Sequence, residues 1–298
     1  MKIDARASDN ALVSIPDGFI KGSLSDGEIK KTVSFLALVW PQGGYTYDYL
    51  HWLYRENPVG FAEVYNVWDK GQIIAHYAAI PIMAKLFGCT EKGLLSLNTA
   101  VHPLHRGKGY FKSLANLTFE DAHYNGANFV IGVANSNSTL LFRRQLRFQF
   151  VTPLTVKIGL GNVKRSLKHD IQFDYMRTWD RPTLNWRLKR PNAKYYSIEK
   201  SGFNSILGHT GRYGIWASML DITSDGIVVS KQKIFRWNPF NLWIGLDESC
   251  DWGRSNYVNI PDRLKPSPLN LVFKDLSGMG RLLNSNKILF SLLDFDAY

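Results

Sequence analysis

Cysteine is nearly absent from this 298-residue chain: Cys89 and Cys250 stand alone, with neither a Cys-x-x-Cys pair nor metal-ligand spacing. Disulfide-built and zinc-built scaffolds are thereby excluded, no metal is expected, and a reducing cytoplasm fits the pattern. Long apolar runs are missing too. The longest unbroken one, Phe35 to Trp40, falls far short of the ~20 residues a membrane helix needs, so no integral membrane segment is expected. The first fifteen residues mix Lys2, Asp4, Arg6 and Asp9, unlike a secretory signal or a transit peptide. Acidic residues are the scarcer charge, 25 against 36 Lys and Arg, which leaves a formal net charge of +11. A basic balance of that size points to an anionic partner.

Apolar residues make up 45% of the chain and aromatic ones 13%, which argues against disorder and leaves room for two cores. Most of the charge excess sits in one stretch: residues 140–200 hold fourteen Lys or Arg against four Asp or Glu. Nucleic acid, an anionic membrane face, a phosphorylated small molecule or plain solvation could each account for it. The sequence has no zinc finger, RNP-type aromatic motif or helix-turn-helix, so nucleic acid is not the expected partner.

Residues 1–30, with Pro16, Gly18, Gly22 and Gly27, read as irregular. An aromatic stripe over 45–56 has helical spacing and stops at Asn57-Pro58. Phe61 to Tyr65 and Gln72 to Pro81 read as strands around Asp69-Lys70-Gly71, and Leu94 to Val101 as a third. Lys112 to Asn125 reads as a helix, and Asn128 to Ala134 as a strand closed by the cap-forming run Asn135-Ser136-Asn137-Ser138. A weak internal echo links Leu50-His51-Trp52-Leu53-Tyr54-Arg55, before Asn57-Pro58, to Leu184-Asn185-Trp186-Arg187-Leu188-Lys189, before Pro191-Asn192. It suggests a duplication whose second copy lacks the basic turn described next.

That turn carries the strongest chemical signal: Val101-His102-Pro103-Leu104-His105-Arg106-Gly107-Lys108-Gly109-Tyr110-Phe111-Lys112. A strand runs into a Gly-rich bend that opens a helix, so several N–H groups converge at the positive end of the helix dipole. Arg106, Lys108 and Lys112 add positive charge, and together these form a pyrophosphate cradle. The P-loop pattern and the Rossmann Gly-x-Gly-x-x-Gly spacing are both absent from it.

Here the sequence resembles the GCN5-related N-acetyltransferase (GNAT) superfamily, whose signature Arg/Gln-x-x-Gly-x-Gly/Ala follows a strand ending Val-x-Pro. This chain reads Val101-His102-Pro103 and then Arg106-Gly107-Lys108-Gly109-Tyr110-Phe111, with Phe111 in place of a small residue. The resemblance, good over residues 35–150, implies an acyl-CoA co-substrate held at Arg106–Lys112. It implies that Thr99, Ala100 and Val101 offer backbone groups to the pantetheine arm, and that the strand 128–133 splays away to leave a cleft for the thioester. It also implies a pantetheine contact from Asn135. The tyrosine usual in the following helix is absent, and Phe142 or Arg143 stands in its place, leaving Arg143 or water to stabilise the departing thiolate. The general base stays open among His76, Glu63, His102, His105 and a water relay, with Asn98 as a group that would hydrogen-bond the acceptor.

The whole-chain pattern resembles two-domain acyl-CoA-dependent acyltransferases of bacterial surface-polysaccharide biosynthesis: Tyr47, Trp52, Tyr54, Asn57-Pro58, Trp186-Arg187 and a closing Phe290-Ser291-Leu292-Leu293-Asp294-Phe295-Asp296. It implies an α/β fold of two GNAT-like domains, each a mixed central sheet flanked by helices, at 1–165 and 166–298, the second a degenerate copy. The implied acceptor is a nucleotide-diphosphate-linked amino-deoxy sugar, dTDP-linked by expectation. Trp40, Tyr47, Tyr54, Arg187, Arg236, Asp294 and Asp296 are its expected contacts, and a homo-oligomer is compatible with the pattern. Competing readings are acylation of a protein, peptide or aminoglycoside amine, aminoacyl transfer in cell-wall peptide synthesis, and a non-catalytic acyl-CoA-binding module.

Overall fold

The computed structural model describes residues 18–165, 172–200, 203–210, 214–223, 238–261, 265 and 267–295. A short strand, β1 (Phe19–Lys21), leads to Ser25, whose hydroxyl accepts the Glu28 amide and starts α1 (Asp26–Val39). The region before residue 30 is thus not irregular throughout, and its Ser-x-x-Glu start signal was present in the sequence. Thr46 caps α2 (Tyr47–Arg55) in the same way. Strands β2 (Glu63–Asp69), β3 (Gln72–Leu86) and β4 (Cys89–Val101) form an antiparallel meander. A 3₁₀ turn (Pro103–His105) and α3 (Tyr110–Tyr124) carry the chain to β5 (Phe129–Ala134), which is parallel to β4. The helix α4 (Ser136–Leu146) and strands β6 (Gln149–Pro153) and β7 (Thr155–Leu160) follow.

After β8 (Tyr175–Arg177), α5 (Arg181–Leu188) precedes a second antiparallel meander, β9 (Tyr195–Lys200), β10 (Phe203–His209) and β11 (Trp216–Thr223). The strands β12 (Phe240–Leu246), β13 (Tyr257–Asn259), β14 (Asn270–Asp275) and β15 (Ile288–Ser291) complete a single mixed sheet.

The two halves repeat one topology and exchange a strand. In the first, β4 runs parallel to β5, β5 pairs antiparallel with β14, and β14 with β6. In the second, β11 runs parallel to β12, β12 pairs antiparallel with β7, and β7 with β13. The first half therefore receives β14 from the second and supplies β7 in return. A cut at residue 165 would sever both from the sheets they join.

The helices α2 and α5 meet at the seam. Trp52 Nε1 donates to the Trp186 carbonyl at 3.0 Å, Trp186 Nε1 donates to the Trp52 carbonyl at 3.1 Å, and the rings stack with centroids 4.9 Å apart. Two residues that each satisfy the other in the same way are related by a local two-fold axis. The short Trp-centred repeat in the sequence is this contact.

The N-terminal sheet is covered on both faces. Ile29, Leu36, Leu50 and Leu53 of α1 and α2 share one core with Ile80, Ile82 and Ile131. Leu114, Phe119 and Phe142 of α3 and α4 share the other with Tyr77, Val130 and Val272. Each such side chain, buried to within a few per cent, is worth about 1.5–3 kcal/mol.

Candidate active site

Between β4 and β5 the sheet opens. Among the described residues their pairing runs Leu94–Val130, Leu95–Ile131 and Ser96–Gly132 and ends there. On its other side β4 bulges: Ala78 faces Leu97 and His76 faces Ala100, so Asn98 and Thr99 together stand opposite Tyr77. Asn98 takes a left-handed backbone with φ +49°, which asparagine tolerates better than most residues. The backbone of Asn98, Thr99, Ala100 and Val101 thus forms one wall of the opening, the place expected for the pantetheine arm.

The cradle lies at the end of this strand. Gly107 and Gly109 both have φ +80°, and among the described residues a Cβ built on either would meet no heavy atom within 4 Å. The glycines serve backbone conformation and leave the concavity open. Gly109 is the N-cap of α3, so side-chain capping is impossible and the amides of the first turn, Tyr110-Phe111-Lys112, face outward for an anion. Arg106, Lys108 and Lys112 are exposed around it, and Arg106 Nε reaches the Val101 carbonyl at 3.4 Å. These donors fit a pyrophosphate.

On the α1–α2 face, a line of side chains runs inward from the bulge. Tyr45 OH donates to Asn98 Oδ1 at 3.3 Å, and Asn98 Nδ2 donates to Tyr54 OH at 3.0 Å. Tyr54 OH lies 3.0 Å from His76 Nε2, and His76 Nδ1 lies 2.7 Å from Asn66 Oδ1. Asn66 Nδ2 donates to Glu28 Oε1 at 2.7 Å. Burial lowers the His76 pKa to about 3 and pushes the Tyr54 hydroxyl well above its ordinary range, so both are neutral at physiological pH. With both ring nitrogens engaged and its surface wholly covered, His76 has no lone pair open to the cleft. As a direct base it is corrected: it stands behind Tyr54 and Asn98. His102 accepts the Leu104 amide at 3.2 Å within the 3₁₀ turn, and Glu63 is drawn into an ion pair with Lys21 at 3.4 Å.

On the α3–α4 face, the missing tyrosine and the unusual Phe111 explain each other. The Phe111 ring packs edge-on against Phe142 at 5.6 Å and lies 6.3 Å from Tyr77. Phe142 in turn meets Phe148 at 4.9 Å. The α4 position is a core ring that seats the enlarged helix start. Beneath it, Tyr77 OH and Ser96 Oγ are 2.6 Å apart, at the last paired residue before the opening. Arg143 is exposed and its guanidinium sits 5.8 Å over the Phe150 ring of β6. Asn135 is exposed and spends its carbonyl oxygen on the Ser138 amide at 2.9 Å, capping α4.

Several expected acceptor contacts are occupied elsewhere. Arg187 is buried: Nε donates to the Leu293 carbonyl at 3.1 Å and a terminal nitrogen to the Phe295 carbonyl at 3.0 Å. Asp294 is buried as well, accepting from Trp179 Nε1 at 3.1 Å and Ser291 Oγ at 2.9 Å. Both hold the closing segment, whose backbone would otherwise be unsatisfied, and neither is an exposed acceptor contact. Tyr54 is buried behind Asn98, and Tyr47 packs toward α1, with Lys30 Nζ 5.8 Å over its ring. Trp40 remains exposed, 6.2 Å from Tyr45. Arg236 and Asp296 lie outside the described residues. Part of the basic surplus over 140–200 is internal too: Arg165 binds Asp221 at 2.6 Å and also Asp247, and Arg177 donates to the Asp294 carbonyl at 2.8 Å. Asn66 and Glu28 were missed as parts of this site. Sequence spacing offers no signal for a hydrogen-bonded line that crosses three strands and two helices.

Among the described residues, none of the helices is long and apolar enough to cross a membrane, and no group of three His, Cys, Asp or Glu side chains is placed to hold a metal. Residues 22–144 match the acetyltransferase (GNAT) domain family. No curated protein matches the sequence. Among solved structures, a probable N-acyltransferase of Enterococcus faecalis V583 shares 12% identity, with 87% of this chain and 72% of that one covered and a TM-score of 0.59. A GCN5-related N-acetyltransferase of Anabaena variabilis ATCC 29413 gives 11%, 86%, 72% and 0.56 in the same order. The N-myristoyltransferase of Saccharomyces cerevisiae, solved with bound myristoyl-CoA, gives 10%, 86%, 82% and 0.54. At these identities the likeness is one of fold, and it extends over both halves. An open cradle, a splayed strand pair and the match of residues 22–144 to the acetyltransferase (GNAT) domain family together support an acyltransferase.

Proposed function

We propose that the protein transfers an acyl group, acetyl or longer such as hydroxybutyryl, from acyl-CoA to the amine of a nucleotide-diphosphate-linked amino-deoxy sugar, dTDP-linked by preference. The product class suits surface-polysaccharide biosynthesis in a bacterial cytoplasm. The carrying observation is the placement of Trp40 and Tyr45, 6.2 Å apart, on the sheet face opposite the cradle helix and beside Asn98 at the bulge. Two neighbouring aromatic rings next to a polar orienting group suit a sugar or a nucleobase. Residues 166–298 complete the acceptor side and hold the fold.

In this reading the first-turn amides of α3, with Arg106, Lys108 and Lys112, hold the acyl-CoA pyrophosphate, and the open edge of β4 from Asn98 to Val101 aligns the thioester. The amide groups of that edge face the carbonyl oxygen as negative charge develops on it. The acceptor amine, less basic than lysine at ~10.4, attacks in its neutral form. A carbon–nitrogen bond forms, the carbon–sulfur bond breaks, and the amine proton passes through water to solvent or to the departing thiolate. With His76 sealed behind Tyr54, the water relay is the favoured path. Mass spectrometry of mixtures holding several acyl-CoAs and nucleotide-linked amino sugars tests the reading, with a mass gain on one sugar expected. Acylation confined to protein, peptide or aminoglycoside amines would refute it.

A further inference from the structure

The line of side chains behind Asn98 has a direction, and one half-buried carboxylate sets it. An ionised carboxylate only accepts hydrogen bonds, so Asn66 must turn its Nδ2 to Glu28 Oε1, at 2.7 Å. Its Oδ1 is then the acceptor that faces His76 Nδ1, at 2.7 Å, and requires the proton on that nitrogen. Neutral imidazole carries one proton, so Nε2 is left to accept from Tyr54 OH, at 3.0 Å. With its proton spent on His76, the Tyr54 oxygen accepts from Asn98 Nδ2, at 3.0 Å. Asn98 must therefore present Oδ1 at the open end of the line, where Tyr45 OH reaches it at 3.3 Å. Each link follows from the one before, and burial of Tyr54, His76 and Asn66 keeps water from substituting for any of them.

We infer that Glu28 is a remote positioning residue: through Asn66, His76 and Tyr54 it fixes Asn98 with its carbonyl oxygen toward the acceptor, so that the site orients its substrate by accepting an N–H or O–H. The inference rests on the acceptor side proposed above. It explains why a histidine is buried in the central strand without serving as a base: a ring that is donor at one end and acceptor at the other transmits polarity. Ser23 fixes the far end, its amide donating to Glu28 Oε2 at 2.8 Å.

The test reads the tautomer and the kinetics separately. Nitrogen-15 NMR of histidine-labelled protein should show His76 neutral with the proton on Nδ1. A proton on Nε2 in the unaltered protein would overturn the inference before any variant is made. In Glu28→Gln the acceptor-only end is lost and the line can reverse, moving the proton to Nε2 and turning the Asn98 amide nitrogen outward. Its acceptor KM should rise roughly tenfold, the scale of one exchanged hydrogen bond, with acyl-CoA affinity unchanged. A moved proton with an unchanged acceptor KM would sink the positioning role. An unmoved proton would sink the polarity argument. If no nucleotide sugar is acylated by the unaltered protein, the substrate reading fails, while the tautomer measurement still decides the polarity.

Discussion

The two halves of this molecule are built alike and carry different residues at matching places. Each has an aromatic helix, an antiparallel meander, a parallel strand pair and a strand borrowed from the other half. The difference lies between the parallel strands. Residues 102–128 supply a basic Gly-rich bend and a full helix, α3, whereas residues 224–239 contain a single glycine, Gly226, and no Gly-x-Gly. A second difference lies on the helices that meet at the seam. Two positions after Trp52 stands Tyr54, a link in the polar line; two positions after Trp186 stands Leu188. One half carries the Gly-rich bend and the polar line, and at the matching positions of its sequence the other carries neither.

The seam offers the most forceful way to break the comparison. Trp52→Ala or Trp186→Ala should each cost about 3–5 kcal/mol, since each removes a buried indole together with the hydrogen bond it donates across the seam. Denaturant unfolding of both single variants and the double variant checks this. Strictly additive losses would show that the reciprocal contact does not work as a unit. Next comes the cradle. Gly109→Glu demands a left-handed backbone from a residue with a Cβ and sets a carboxylate in the proposed pyrophosphate cradle. Acyl-CoA affinity should fall about a hundredfold or more, for strain and charge together. Calorimetric titration reads it, and the same titration of the unaltered protein should give one acyl-CoA per chain. Two would erase the distinction between the halves.

A smaller effect follows from burial of His76. Its native pKa, about 3, lies below the ordinary 6.5, so the unfolded chain takes up a proton that the native state refuses. Its stabilising contribution is fully present above pH 6.5 and is lost toward pH 3, at about 1.4 kcal/mol per pH unit. Unfolding curves at pH 7, 6 and 5, set against those of His76→Gln, isolate that slope. A flat difference would mean that the ring is open to protons. The smallest effect is expected on turnover. His76→Ala should lower it less than about tenfold, because loss of a true general base costs 10²–10⁴-fold. A hundredfold loss of turnover with acceptor affinity intact would restore His76 as the base.

What could be read in the sequence was local. The cradle was visible because Gly107 and Gly109 are both needed within one turn, and the helix cap at Asn135 was visible because its cap-forming run is equally local. The Trp52–Trp186 echo was legible as a repeat, though its reciprocal geometry was not. Interactions over more than a hundred residues left no local trace. Arg187 and Asp294 look like surface charges in a string of letters, and it takes the closing segment folding over α5 to bury them. The start of α1 was hidden by neighbouring glycines, whose turn-forming tendency outweighed the Ser25-x-x-Glu28 signal. The exchange of β7 and β14 had no signature at all, because a strand's letters do not name its partner.

That exchange bears on how the protein is made. A nascent chain leaving the ribosome with residues 1–165 complete still lacks β14, and until residues 270–275 arrive the outer edge of β5 and the inner edge of β6 have no strand between them. The N-terminal half therefore cannot close until residues 270–275 have been made, with an open sheet edge exposed meanwhile to neighbours. Gene fragments ending at residue 165 should yield aggregation-prone protein, and the N-terminal half should regain its fold when the missing strand is supplied.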